Sequence, residues 1–276
     1  MTATLAIRPG VLGIDVVADR SGRTRTASLH QRYPQRVTMP MHCDPEHPGA
    51  ATLCVQSPSG GAFSDDDLVT MVRCRDGAHL HLTTQAATQV FAGDGPGARH
   101  HLSFTVGDGA ILQYYPGTVI PQTDSRFTQQ IDISVDRGGV YLGWEAVAAG
   151  RIAHGERYGY ARYDSALVVG VDGRVVARDR QVLQPGTCSD AITLIDGDYL
   201  ATFLAVCADR NVSALLELIR EELDDMIGVN GGVSVLPHEA GIFARLTARR
   251  APDLQRARQR LFDAARAELI PKGRNQ

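Results

Sequence analysis

The segment HCDPEH concentrates side chains that can bind a metal ion. It places His42, Cys43 and His47 within six residues, with Asp44 and Glu46 between them. Imidazole and thiolate ligands suit nickel, zinc or copper. The prolines within and after the segment predict an exposed loop, where histidines and acids are common without any ligand. We therefore treat His42, Cys43 and His47 as weak metal-ligand candidates.

A second group of polar side chains lies in the segment HLHLTTQ, which begins at His79. Leucine alternates with histidine here, as in a strand with one buried face. By the period of two, His79, His81, Thr83 and Gln85 share the polar face, whereas Thr84 falls on the apolar face. The polar face is either solvated surface or the wall of an internal passage.

Motifs of the common enzyme classes are absent from the sequence. It has no G-x-x-x-x-G-K-[ST] phosphate loop, no G-x-S-x-G elbow, no H-E-x-x-H pair and no dinucleotide fingerprint. We interpret the chain as a non-enzyme. The alternative from another class is a carbohydrate hydrolase or lyase on a β-solenoid, with Glu145 and Glu156 as its paired carboxylates. The single tryptophan and modest aromatic content disfavour a sugar-binding groove.

Glycine turns divide the first two thirds of the chain into strand-like segments. They lie at Asp76-Gly77, Asp108-Gly109, Arg137-Gly138-Gly139 and Asp172-Gly173. An Asp-Gly pair between alternating segments is a strong hairpin signal, so we predict successive β-hairpins. The turn glycines follow one another at intervals of 32, 29 and 35 residues, which suits stacked coils as well as an ordinary meander.

Two amphipathic helices are predicted near the C-terminus. The first begins at Asn211 or Ser213 and ends at Gly228. The second begins at Pro252 and ends at Pro271. Between them, GGVSVL and GIFARLTA read as a strand pair.

Length and composition are typical of a globular protein with one large domain or two small ones. The 276 residues are 43% hydrophobic and 21% charged, enough for a full core. We predict a single domain over 1–276, mostly β over 1–187 and mixed strand and helix over 188–276. Five scattered cysteines without a C-x-x-C pair argue against a disulfide framework. A net charge of -3 gives no basic surface of the kind that binds nucleic acid. Because no leader or membrane-spanning segment is evident in the sequence, we expect a cytoplasmic location.

Several stretches together resemble one protein family. In order they are RYPQRVTMP, SPSGG, DDDL, GAHLHLTTQAAT, GAILQYYPGTVIPQTDSRF and YLGWEAVAAGRIAHGERY. Their order and spacing, from about Arg32 to about Pro185, resemble the UreD family of urease accessory proteins, called UreH in some bacteria. The stretches LTTQAAT and GR-x-x-x-GE are the most specific.

The resemblance implies a fold and a function. The fold is mainly β, a two-layered, β-helix-like winding of hairpins with a few C-terminal α-helices. The implied function is a non-catalytic scaffold that binds UreF, which recruits the GTPase UreG, and docks on apo-urease. Nickel would reach the urease active site along a polar, water-filled passage, as transient Ni²⁺ and not as a tightly bound cofactor. Candidate passage-lining residues are Asp66, His79, His81, Thr83, Gln85, Glu145 and Glu156.

Three positions depart from the family pattern. Asp65 replaces a usual glycine, Gln113 replaces a usual glutamate, and Gln35 replaces a usual apolar residue. The loss of a carboxylate at Gln113 weakens the expectation of a fixed acidic ladder along the passage. A free-standing nickel chaperone that uses the HCDPEH loop is the remaining alternative.

Overall fold

The computed structural model describes residues 9–185 and 197–270, and most of them lie in β-strands. The strands are β1 Gly10–Ala18, β2 Thr24–Gln31, β3 Arg36–Val37, β4 Ala51–Gln56, β5 Gly61–Ala62, β6 Asp67–Cys74, β7 His79–Thr84, β8 Thr88–Val90, β9 Ala98–Val106, β10 Ile111–Tyr115, β11 Val119–Pro121, β12 Arg126–Val135, β13 Val140–Ala148, β14 Arg162–Val171, β15 Arg174–Leu183, β16 Tyr199–Val206, β17 Val229–Val235 and β18 Gly241–Ala248. Two α-helices, α1 Val212–Asp224 and α2 Ala251–Leu269, follow in the last quarter, and short 3-10 helices span Ile152–His154 and Pro237–Glu239.

The strands form two facing sheets between which the chain winds. Sheet A has seven strands in the order β15-β14-β12-β9-β6-β1-β2. Sheet B has eleven, with β17-β18-β16-β13-β10-β7-β4-β3 in order and the short β5, β8 and β11 beside them. Neighbours are parallel from β1 through β14 in sheet A and from β4 through β13 in sheet B. This β-solenoid of stacked coils, with two C-terminal helices, confirms the predicted fold class.

The first three glycine turns are corners of the solenoid and not hairpins. The turn at Gly77 leads from β6 in sheet A to β7 in sheet B, and its N–H donates to the carbonyl of Asp108 in the next coil at 2.9 Å. Only Asp172-Gly173 joins antiparallel neighbours, β14 and β15. The hairpin interpretation is therefore wrong at three turns. Gly77 and Gly109 at corners and Gly173 at the hairpin all adopt a positive φ, so local sequence does not distinguish the two kinds of turn.

The strand register repeats the spacing of the turns. Leu80 lies beside Leu112 in sheet B, and Leu112 lies beside Tyr141. These offsets are the same 32 and 29 residues that separate the corresponding glycines. Inward side chains at equivalent positions of successive coils therefore form rows, and the leucine rows make the core between the sheets.

The helices pack on the outer face of sheet B and form a second core with Trp144 and Phe203. Helix α1 begins where predicted, because Asn211 Oδ1 accepts a hydrogen bond from the Ala214 N–H at 3.1 Å. It ends at Asp224, before the predicted Gly228, and Ile227 is 89% exposed.

Helix α2 matches its prediction up to Leu269, and the predicted stop at Pro271 lies outside the described residues. The predicted strand pair between the helices is β17 with β18. The boundary expected at 187/188 also lies outside the described residues. No helix in the described ranges is long and apolar enough to cross a membrane.

Leu112 tests the stacked core. Its side chain is 0% exposed between the sheets. We expect Leu112→Ala to lower the free energy of unfolding by about 2 to 5 kcal/mol, because it removes apolar contacts and leaves a cavity. Leu29→Ala, at a side chain that is 40% exposed, is the control and should change stability far less. Urea denaturation measures both, and equal effects would contradict this packing.

Candidate functional site

A cavity of about 140 Å³ lies between the two sheets, next to the end of β7. Such a volume holds several water molecules. Apolar side chains form part of its wall, but a set of polar side chains lines it too. These are Gln35, Thr70, Thr84, Gln85, His100, Gln129 and Glu145. The cavity is thus a largely apolar space in the solenoid core whose wall carries these polar side chains.

Strand stacking produces one row of this polar lining. His100 of β9 lies beside Gln129 of β12, which lies beside Ser165 of β14. On its other side His100 lies beside the apolar Leu68 of β6, and Gln129 is flanked within β12 by the buried Phe127 and Ile131. Parallel in-register pairing brings them together because equivalent positions lie side by side.

Glu145 enters the same space from sheet B. Its Oε2 accepts hydrogen bonds from Gln129 Nε2 and from Ser165 Oγ, both at 2.9 Å. Burial raises the pKa of Glu145 to about 7, against the hydrogen bond from Ser165, and the charge of Asp179 adds to the rise. The carboxyl group retains partial exposure because it lines the cavity. It can therefore exchange a proton or a cation near neutral pH.

A second hydrogen-bonded chain extends from His100 along the sheet A side of the cavity. Thr70 Oγ1 donates to Gln35 Oε1 at 2.7 Å and lies 2.9 Å from His100 Nε2. Because the threonine hydroxyl has only one proton to give, His100 Nε2 must be the donor to it, which leaves Nδ1 with the lone pair. Burial lowers the pKa of His100 to about 4, so the imidazole is neutral at physiological pH. Gln35, a departure from the family pattern, anchors the chain through the carbonyls of Gly10 and Val69.

Thr83 and Thr84 of β7 lie on the opposite sides to those expected for the internal space. Thr84 faces the cavity on the same side of the strand as Leu82, and its Oγ1 accepts from the Gly117 N–H at 2.8 Å. Gln85, a candidate for lining the passage, also lines the cavity, because the chain turns after β7. Thr83 points to the outer face instead and donates to the carbonyl of Tyr115 at 2.9 Å. The leucine-bearing face of β7 is the inner one, so the internal space lies on the face that we took for pure core.

His79 and His81 also lie outside this cavity, in a histidine cluster beneath helix α2. The rings of His47 and His79 meet edge to face with centroids 5.2 Å apart. Gln113 Nε2 lies 2.8 Å from His79 Nε2. Burial lowers the pKa of His79 to about 3, and the nearby His47 and Arg266 add to the effect. His47 Nε2 and His81 Nδ1 are buried without a hydrogen-bond partner.

Arg266 of α2 joins this cluster to the HCDPEH loop. Its guanidinium contacts the carboxylate of Asp44, lies 3.3 Å from His47 Nδ1, and donates to Gln113 Oε1 at 3.3 Å. Burial would raise the pKa of Asp44, but the hydrogen bond and charge of Arg266 lower it to about 2. The loop is therefore clamped to the last turns of α2 by an ion pair and is not a free exposed segment.

The structure separates the three weak metal-ligand candidates. His42 Nε2 lies 2.9 Å from the carbonyl of Thr24, Cys43 is exposed, and His47 is buried against Arg266. Within residues 9–185 and 197–270, no three His, Cys, Asp or Glu side chains form a group that could hold a metal ion. Whether these three weak candidates bind a metal ion stays a prediction.

The two other acidic candidates lie away from the cavity lining. Asp66 Oδ2 accepts from the Phe63 N–H at 2.8 Å and stabilises a turn. Glu156 forms a two-point ion pair with Arg151 in the loop after β13. Glu156 and Glu145 therefore do not face each other across the cavity as a carboxylate pair would.

The sequence analysis missed three lining residues of the cavity, Thr70, His100 and Gln129, and also Ser165, which hydrogen-bonds to Glu145. A signal for them was present, since each is a polar residue at an inward position of an alternating strand. These polar residues could be recognised as one group only with the knowledge that strands about 30 residues apart are neighbours.

The pKa of Glu145 predicts a pH-dependent stability. A folded pKa of about 7, above the ordinary 4.5, means that stability falls as pH rises from 4.5 through 7. Glu145→Gln mimics the neutral acid, so we expect it to stabilise the protein by about 1 to 2 kcal/mol at pH 8 and to have little effect at pH 4.5. Thermal unfolding measures the stability of both proteins at each pH, and the difference between variant and wild type removes the histidine contributions that they share.

Glu217→Gln, at an exposed carboxylate on α1, is the matched control and should show no such trend. If the stability difference between Glu145→Gln and wild type were the same at both pH values, the raised pKa of a buried Glu145 would be contradicted.

Comparison with known proteins identifies the family. A sequence model of the family described as UreD urease accessory protein matches residues 10–275. The chain is 69% identical to the urease accessory protein UreD of Mycolicibacterium gilvum, covering 98% of each chain. It is 30% identical to that of Natronomonas pharaonis over 97% of this chain and 91% of the other. It is 29% identical to the urease accessory protein UreD 2 of Streptomyces griseus over 86% of this chain and 82% of the other. The match extends through the C-terminal helices, beyond the stretches first recognised, and this chain belongs to the UreD family of urease accessory proteins.

Proposed function

We propose that this chain is a non-catalytic scaffold that carries nickel to urease during maturation. It binds UreF, recruits the GTPase UreG through it, and docks on apo-urease. The observation that carries the proposal is the polar row with Glu145 inside the solenoid core. A purely structural β-solenoid would fill these inward positions with apolar side chains, as it does with the leucine rows.

The cavity chemistry suits a cation in transit. Glu145 offers a carboxylate near its pKa, His100 Nδ1 offers a neutral nitrogen, and glutamine and threonine offer oxygens. These ligands are distributed around the wall and do not converge on one point. Conduction requires weak binding so that the ion can leave again, and ordered water can complete its coordination. Ni²⁺ is then a cargo and not a resident cofactor.

A second cavity extends the polar space toward the surface. It has a volume of about 240 Å³ and lies between the β7–β8 segment and helix α2. The two cavities share a wall formed by residues 84–87 and Gly117. Thr84 closes this wall, since its hydroxyl holds Gly117 and donates to the carbonyl of Ala86. We infer that nickel crosses the solenoid through this wall when it opens.

Blocking the shared wall tests the route. Thr84→Trp should place a bulky ring between the cavities, at a stability cost of about 1 to 3 kcal/mol from overpacking. We expect the variant to bind UreF and urease but to leave urease with much less nickel. Pull-down and metal analysis of urease from co-expressing cells measure both outcomes.

Thr128→Trp is the matched control, because Thr128 lies on the exposed face of β12 and should leave urease nickel unchanged. Normal urease nickel with Thr84→Trp would exclude passage through this wall.

Nickel affinity separates the scaffold from a free-standing chaperone. Because the candidate ligands are dispersed, we expect the isolated chain to bind Ni²⁺ at more than one site with micromolar or weaker affinity in equilibrium dialysis. A single nanomolar site that is lost on combined His42→Ala and His47→Ala substitution would instead support the chaperone function.

A further inference from the structure

Helix α2 carries one arginine whose charge is not compensated. Of the helix arginines, Arg256 pairs with Asp253, Arg260 with Glu222, and Arg266 with Asp44. Arg258 forms no ion pair with any carboxylate in the described parts of the chain. A partly buried cation without a counterion is energetically costly, so its environment needs a separate explanation.

The guanidinium of Arg258 is held in a fixed orientation. It stacks over the ring of Tyr115, with Cζ 4.1 Å from the ring centroid. Its Nη1 donates to the carbonyl of Pro116 at 2.6 Å. Its Nε is buried and has no hydrogen-bond partner. The ring and the carbonyl therefore fix the guanidinium plane and leave donor capacity unused.

This arginine lines the outer cavity of about 240 Å³. The other polar lining residues are uncharged: Thr83, Thr84, Gln85, Thr118 and Gln255. Among the residues that the structure describes, no acidic side chain lines this cavity, and Arg258 is the one charged group found there. Hydroxyls, amides and one guanidinium together form a site that donates hydrogen bonds to an anion.

We propose that the outer cavity is a binding site for a carboxylate, held by Arg258. The planar guanidinium matches the planar carboxylate in a two-point contact. One positive charge balances a monoanion, whereas a phosphate dianion would leave excess negative charge in a cavity without a second cation. The carboxylate belongs either to a small free acid or to an Asp or Glu side chain of a docked protein.

The site has a consequence for nickel transfer that rests on the proposed function. An uncompensated Arg258 beside the shared wall repels Ni²⁺, and a bound carboxylate cancels that repulsion. Occupancy of the outer cavity would then permit cation passage. The binding itself does not depend on nickel and is measured without it.

The only tryptophan of the chain, Trp144, lines this cavity and reports its occupancy by fluorescence. Sodium formate is added in place of sodium chloride, so that the ionic strength stays constant. We expect a saturable change in Trp144 fluorescence with a Kd on the order of 1 to 10 mM. Arg258→Gln should weaken binding at least tenfold. Arg260→Gln removes a charge from the same helix away from the cavity, and should bind formate like wild type.

Two capped peptides distinguish the sources of the carboxylate. Gly-Glu-Gly binding in preference to Gly-Gln-Gly would support a docked side chain, and binding of formate alone would support a small free acid. The proposal is overturned if wild type shows no saturable response to formate or the acidic peptide, if phosphate binds more tightly than either, or if well-folded Arg258→Gln binds them unchanged. Because these titrations contain no nickel, their failure leaves the nickel route to be judged by urease metal content.

Discussion

Parallel, in-register pairing between successive coils is the constraint on which this structure depends. Each inner strand hydrogen-bonds to an equivalent strand about 30 residues away, so one inward residue of each coil lies beside its counterpart in the next. The corner turns stack in the same manner, with Gly77 bonded to Asp108. Rows of side chains, and not isolated residues, are therefore the units of both the core and the cavity.

A polar row is costly in such a core unless its members bond to one another. Gln129, Glu145 and Ser165 form one closed set, and Gln35, Thr70 and His100 form another. The members of each set bond to one another, Gln35 also bonds to the carbonyls of Gly10 and Val69, and cavity water can satisfy the rest. The residual cost is visible at Glu145, whose raised pKa records that burial disfavours its charge. Under the proposed nickel route, stability and cation transfer would therefore place opposite demands on this carboxyl group.

Sheet B has two faces with separate roles, and helix α2 gives the outer one its chemistry. Arg266 pairs with Asp44 beneath the helix, and burial, with a smaller contribution from the charge of Arg266, lowers the pKa of the neighbouring His79. Gln113, where the family pattern has a glutamate, bonds both His79 and Arg266. The amide satisfies both partners without adding a second negative charge next to Asp44. Eight residues before Arg266, Arg258 stacks on Tyr115 without a counterion, so two arginines on one helix face meet different electrostatic surroundings.

The sequence by itself determined the class of fold, the turns, the helix starts and the family. These depend on local properties: alternation of apolar residues, glycine at positive φ, the Asn211 cap, and motifs in a fixed order. It also identified Gln85 and Glu145 as candidates for an internal polar space. Only the tertiary structure decided whether a turn folds back or crosses to the other sheet, because both use the same backbone geometry. That choice determined which face of β7 is internal, brought Thr84 and not Thr83 to the cavity, and placed His47, His79 and Arg266 together from distant parts of the chain. Spatial neighbours in a solenoid are set by long-range pairing, which a strand's own alternation does not encode.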